Sequence, residues 1–100
     1  MPLILQIDFP FAGPWGAELA SQFSGLALSI ADEPGLVWKI WTESPERGEA
    51  GGIYLFSDQA SAEACLAMHS QRLAAAGVTG IRSRIFAINA ELSALDRAPL

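Results

Sequence analysis

The spacing of hydrophobic residues switches between the strand period of two and the helix period of 3.6 in an order that few folds accommodate. Leu3, Leu5, Ile7 and Phe9 alternate with Ile4, Gln6 and Asp8, the pattern of a half-buried strand. A loop over residues 10–14 leads to Leu19, Phe23, Leu26 and Ile30, which repeat at helical spacing, with Pro14 expected in the first turn and Pro34-Gly35 as the stop. Residues 36–43 and 53–57 read as two strands joined by a polar turn over residues 44–48, hence a hairpin. Ser57 or Asp58 caps a second helix that runs to about Ala76 and ends at Gly77 and Gly80. Residues 81–89 form a fourth strand, and the tail after Glu91 holds one further helical turn.

The order β-α-β-β-α-β specifies the split βαβ, or ferredoxin-like, arrangement. This is an α+β fold with a four-stranded antiparallel sheet and two helices on one face, in one domain over residues 1–100. Strand two strains that picture. Regular alternation puts Trp38 and Ile40 on one side and Val37, Lys39 and Trp41 on the other, and the face away from the helices then carries Val37, Trp41, Phe86 and Ile88, or their opposites if the strand registers slip. Two helices cannot cover both sides. The bare face therefore predicts a second copy packed sheet against sheet, with Trp41, Phe86, Ile88 and Arg84 in the homodimer interface. Composition points the same way, since 51 % of residues are hydrophobic and 17 % charged, against a usual ~25 % charged. The sheet charges Asp8, Lys39, Glu43, Arg82 and Arg84 are expected mostly on the same bare face, where they must pair or reach the rim.

Several function classes are disfavoured. A net charge of −5 without a Lys/Arg cluster argues against nucleic acid and anionic membranes as partners. The lone Cys65 forms no intramolecular disulfide and suggests a reducing, cytoplasmic setting. The N-terminus has no basic leader, and Gln6 and Asp8 interrupt its apolar stretch, so neither a signal peptide nor a spanning helix is expected. Gly51-Gly52 inside a strand suggests a bulge or a close backbone approach. Neither glycine pair sits in a phosphate-binding setting, so no nucleotide, flavin or metal cofactor is expected.

His69 is the only histidine. It shares one helical arc with Ala62, Cys65, Leu66, Leu73 and Ala76 and points toward the sheet. Two readings stand: a buried ring bonded to a backbone carbonyl or carboxylate, or a nitrogen on the wall of an apolar cavity, able to move a proton near neutral pH. With no second His and no companion Cys, a metal-ligand role is the weakest. Most of the nine aromatic side chains serve as core or interface. Trp15 and Trp38 are also candidates for an aromatic slot that takes a flat ligand, with Phe9 and Thr42 as neighbours.

Three segments carry a resemblance: Gly13-Pro14-Trp15-Gly16, the run from Glu33-Pro34-Gly35 through Trp38-Lys39-Ile40-Trp41-Thr42-Glu43-Ser44, and Glu49-Ala50-Gly51-Gly52-Ile53-Tyr54-Leu55-Phe56. With His69, Arg72-Leu73 and Gly77-Val78, they closely resemble the bacterial YdhR family, classed with the monooxygenases. The resemblance spans nearly the whole chain. It implies a dimeric α/β barrel and kinship with antibiotic-biosynthesis-type monooxygenases, which oxygenate electron-rich phenolic or polycyclic substrates with O₂ and without metal or flavin. On that footing His69 is the expected catalytic base or proton relay, and Trp15, Trp38, Phe9 and Thr42 the expected substrate-binding residues. The alternative is a non-catalytic homodimer that binds a small apolar metabolite, or a stress-related module.

Overall fold

The computed structural model describes all 100 residues. Seven elements follow one another: β1 (Leu3–Pro10), α1 (Gly16–Ala31), β2 (Leu36–Ser44), β3 (Glu49–Phe56), α2 (Gln59–Ala75), β4 (Arg82–Ala87) and a short α3 (Ala90–Leu95). The four strands form one antiparallel sheet in the order β2-β3-β1-β4, so the α+β ferredoxin-like expectation holds. β3 starts at Glu49, earlier than its apolar run, because Ala50, Gly51 and Gly52 pair with β1 despite their poor strand propensity.

The central strand sets the core. Leu3, Leu5, Ile7 and Phe9 are buried on the helix side, and each contributes about 1.5–3 kcal/mol of transfer free energy when fully covered. Across β3 they face Phe56, Tyr54, Gly52 and Ala50, and across β4 Leu3, Leu5 and Ile7 face Ala87, Ile85 and Ser83. From α2, Ala62, Cys65, His69 and Leu73 come down onto this surface. Their spacing is the arc read from the sequence. Asp58 is the N-cap of α2, accepting from the Ser61 N–H at 2.8 Å. Gly77, at φ +90°, turns the chain out of α2, and the Val78 N–H returns to the Leu73 carbonyl.

Gly51 has a steric reason to be glycine. β3 passes so close to β1 that a Cβ at Gly51 would overlap the Ile7 carbonyl. This is the close approach expected of the glycine pair, within an uninterrupted β1–β3 register.

β2 departs from regular alternation. Leu36 pairs with Phe56, but Trp38 pairs with Leu55, so the register shifts across Val37. One extra residue on β2 reverses the face of everything after it. Lys39, Trp41 and Glu43 now lie on the helix side, opposite Tyr54, Gly52 and Ala50, while Trp38, Ile40 and Thr42 turn to the open face, opposite Leu55, Ile53 and Gly51. Regular alternation gives the reverse.

The open face carries two kinds of surface. At one end Arg82 bridges Asp8 (Nε to Oδ1, 2.6 Å) and Glu49 (Nη2 to Oε1, 2.9 Å). At the other end Ile4, Leu55, Trp38 and Phe86 share adjoining register positions. The C-terminal segment returns from β4 at one edge to β2 at the other, where the Trp38 indole Nε1–H donates to the Pro99 carbonyl at 2.8 Å. Asn89, expected inside the fourth strand, lies beyond it and caps α3 by accepting from the Leu92 N–H. No helix is long and apolar enough to cross a membrane.

Candidate functional site

Aromatic rings run along the helix side of the sheet without a break. Phe9 meets Phe11 edge-on with centroids 6.1 Å apart, Phe11 meets Trp15 at 5.4 Å and Phe23 at 6.0 Å, and Phe23 meets Trp41 at 6.0 Å. The loop after β1 supplies Phe11 and Trp15, α1 supplies Phe23, and the bulge in β2 delivers Trp41. Beside Phe23 and Trp41 opens an apolar groove of about 590 Å³ between α1 and the edge strand β2. Its walls include Leu19, Phe23, Ala27 and Leu28 of α1 and Trp41 and Glu43 of β2. At its end both carboxylate oxygens of Glu43 accept from the Gly16 N–H, at 3.1 and 3.2 Å. That contact satisfies an N–H at the start of α1 and places negative charge at the helix's positive end.

Lys39, the only lysine in the chain, follows the same face inward. Its Nζ lies 3.2 Å from the centroid of the Trp41 ring and 4.4 Å from that of Tyr54. The nitrogen is buried and has no hydrogen-bond partner. A Cβ at Gly52 would come within 2.5 Å of Lys39 Cε, so the bare glycine makes room for the stem. Burial disfavours the ammonium and brings its pKa down to about 7, with only the nearby Cys65 thiol acting in the other direction.

Tyr54 links the amine to the histidine. Its ring is fully buried, 6.0 Å from Phe56 and 6.3 Å from the His69 ring. His69 is 2 % exposed, and its Nδ1 has no partner. Burial, then the neighbouring charges of Lys39 and Arg72, bring its pKa down to about 4, so the imidazole is neutral at physiological pH. Burial, then the Glu33 carboxylate, pushes the Cys65 thiol up to about 11. Burial likewise holds the Tyr54 phenol well above its ordinary range.

The structure sorts the expected site residues into two groups. Phe9, Trp15 and His69 lie on the helix side, as expected. Trp38 and Thr42 do not join them: the bulge at Val37 turns both to the open face, where Trp38 meets Pro99 and Thr42 borders a polar hollow with Gln6, Asp8 and Arg47. Of the four expected interface residues, Arg84 and Phe86 lie on the open face, paired across from Gln6 and Ile4. Ile88 follows the end of β4. Trp41 is displaced to the helix side by the same bulge and takes the ring position in the slot expected of Trp38. Lys39 and Glu43, expected on the open face, move with it, whereas Asp8, Arg82 and Arg84 are where the pattern puts them. None of the expected site residues His69, Trp15, Trp38, Phe9 and Thr42 lines the groove.

Residues 4–99 match the family described as "Putative mono-oxygenase ydhR". The chain belongs to the YdhR family. A search of curated proteins returns no match. Among solved structures, this YdhR member is similar to SnoaB, a cofactor-independent oxygenase from Streptomyces nogalater, with a TM-score of 0.62 and 20 % identity over 88 % of this chain and 93 % of that one. It is equally similar to the NE2512 protein of unknown function from Nitrosomonas europaea, with a TM-score of 0.62, 20 % identity and 88 % and 89 % coverage. At such identities the likeness establishes the fold; the monooxygenase class rests on YdhR membership.

Proposed function

We propose that the protein is a cofactor-independent monooxygenase that acts with O₂ on a small aromatic or quinol-type substrate bound in the groove between α1 and β2. The observation that carries this reading is the groove itself: an apolar cleft bordered by Phe23 and Trp41, behind which the Lys39 amine packs against both Trp41 and Tyr54, and Tyr54 in turn against a neutral, unpartnered His69. A planar, electron-rich ring gains from stacking there and from the exclusion of water. Once deprotonated, such a substrate supplies its own electrons to O₂; one oxygen atom enters the ring system and the other leaves as water. His69, held neutral, serves as an acceptor or relay for protons, and Trp15 and Phe9 brace the rings that shape the groove. Two copies associate through the open face, using Phe86, Arg84 and Ile88 together with the exposed Ile40.

A second reading, a homodimer that binds an apolar metabolite without turning it over, draws on the absence of His69 from the groove wall. Oxygen uptake decides between them. Metal-free, flavin-free protein is mixed with hydroquinones, anthrones and catechols, with heat-killed protein as the blank. Uptake above the blank that falls in Trp41→Ala supports the oxygenase, and uptake equal to the blank across the panel supports the binding module.

A further inference from the structure

Of the groups packed between sheet and helices, Lys39 holds the strongest unspent chemistry. An amine that leaves water and finds no hydrogen-bond partner gives up its solvation without a direct replacement. Here the only compensation is the faces of Trp41 and Tyr54. Every ion pair in the molecule involves Arg82 on the opposite side of the sheet, so no carboxylate neutralises Lys39. The titratable groups around it are Tyr54 from β3 and Cys65 and His69 from α2, with Arg72 further along α2 and Glu43 on its own strand. The one charge on α1, Glu18, is exposed. Tyr54 and Cys65 stay protonated and His69 stays neutral at physiological pH; the Glu43 carboxylate is turned to the Gly16 N–H, the Glu33 carboxylate acts on Cys65, and neither forms an ion pair with Lys39. Lys39 does not itself line the groove: its amine is buried against the ring of Trp41, which does, so a ligand reaches it by displacing that partly exposed ring, and its stem lies across Gly52 with no side chain beneath it.

We propose that Lys39 is the proton acceptor of this site, taking the hydroxyl proton of a phenolic ligand seated in the Phe23–Trp41 groove and holding the resulting phenolate as its counter-ion. The proposal deepens the oxygenase reading and rests on its groove. In the step, the ligand O–H bond breaks, an N–H bond forms on the neutral amine, and a phenolate–ammonium pair replaces a phenol and an amine. Bringing the anion to the amine supplies the partner that no group of the protein provides. Near neutral pH the protein by itself holds a large share of the amine in its proton-accepting form, which an ordinary lysine does not. His69, titrating near 4, is a much weaker base and is left as a relay.

Because Lys39 is the only lysine, protein grown on carbon-13-labelled lysine shows its side chain as a single set of resonances, whose titration is followed directly. The probes are 4-nitrophenol and nitrobenzene, similar rings with and without an ionisable proton. The expected result is a Lys39 titration near 7 in free protein, moved upward by about one unit or more on saturation with 4-nitrophenol and unmoved by nitrobenzene. Bound 4-nitrophenol should show the phenolate absorption at pH values where the free probe is still protonated. Lys39→Met should keep nitrobenzene binding and lose that phenolate signal. Saturation with 4-nitrophenol that leaves the Lys39 titration in place overturns the proposal, even if oxygen uptake is confirmed. Failure of both probes to bind overturns the groove reading and the Lys39 role together. Absence of oxygen uptake with the titration shift present removes the oxygenase reading and leaves the proton acceptor standing.

Discussion

The two faces of the sheet are built from the same four strands and have opposite characters. The helix side buries an unbroken apolar surface and, within it, an amine and an imidazole nitrogen without hydrogen-bond partners. The open side pairs Asp8, Arg82 and Glu49 in an exposed cluster, carries Arg84 exposed beside them, and leaves Ile40 and Phe86 about half exposed, at 54 % and 43 %. The difference teaches where chemistry can be stored. A charge on the open face is exposed and screened by solvent, and the ion pairs there are worth about 0–1 kcal/mol. The Lys39 amine and the His69 Nδ1 on the helix side are buried without a partner, so their proton affinities shift.

The strongest test of that division is the backbone contact that holds both faces in register. Gly51→Val should abolish cooperative thermal unfolding, or cost more than about 4 kcal/mol, because a side chain at this position meets the Ile7 carbonyl and separates β1 from β3. A folded Gly51→Val protein of near wild-type stability would mean that the close β1–β3 approach is not required.

A smaller but more selective effect separates the faces by function. Phe86→Glu should halve the molar mass measured by light scattering and leave nitrobenzene binding intact. Trp41→Glu should do the opposite, retaining the wild-type mass and losing the probe. Dissociation by Trp41→Glu with an unaffected groove would restore regular alternation in β2 and put Trp41 on the open face.

The smallest effect concerns pH. Lys39 titrates near 7 when folded and near 10.5 as a free side chain, so between these values the unfolded chain binds the extra proton. Stability should therefore rise with pH from about 7, by at most about 1.4 kcal/mol per pH unit. His69 adds a separate rise between about 4 and 6.5. Cys65, raised from 9.0 to about 11, opposes the Lys39 rise above pH 9. In Lys39→Met, urea titrations should show no increase in stability between pH 7 and 9. An unchanged slope would mean that Lys39 is charged and solvated in the folded protein.

Local periodicity was enough to name every major element. The alternation of Leu3 to Phe9, the arc of Ala62, Cys65, His69 and Leu73, and Gly77 as a helix stop are readable because each depends on neighbours within two to four residues. The YdhR resemblance rests on contiguous runs and is likewise local. His69 pointing into the sheet followed from the helical wheel alone.

The face of β2 was not readable in this way. Whether Trp38 or Trp41 meets the helices turns on one extra residue at Val37, and a bulge exists only relative to the strand it pairs with. Alternation read along β2 by itself carries no record of Phe56 and Leu55 opposite. The role of Lys39 was hidden for the same reason. A lone lysine amid Trp38, Ile40 and Trp41 was the available signal, but its lowered proton affinity is created by Trp41 from its own strand, Tyr54 and Gly52 from β3, and the α2 surface above. Sequence by itself determined which elements form and their order, because hydrogen-bonded periodicity and chain-stopping residues act locally. Only the tertiary structure decided which side of the sheet holds the amine, because pairing register and desolvation are properties of surfaces brought together from distant parts of the chain.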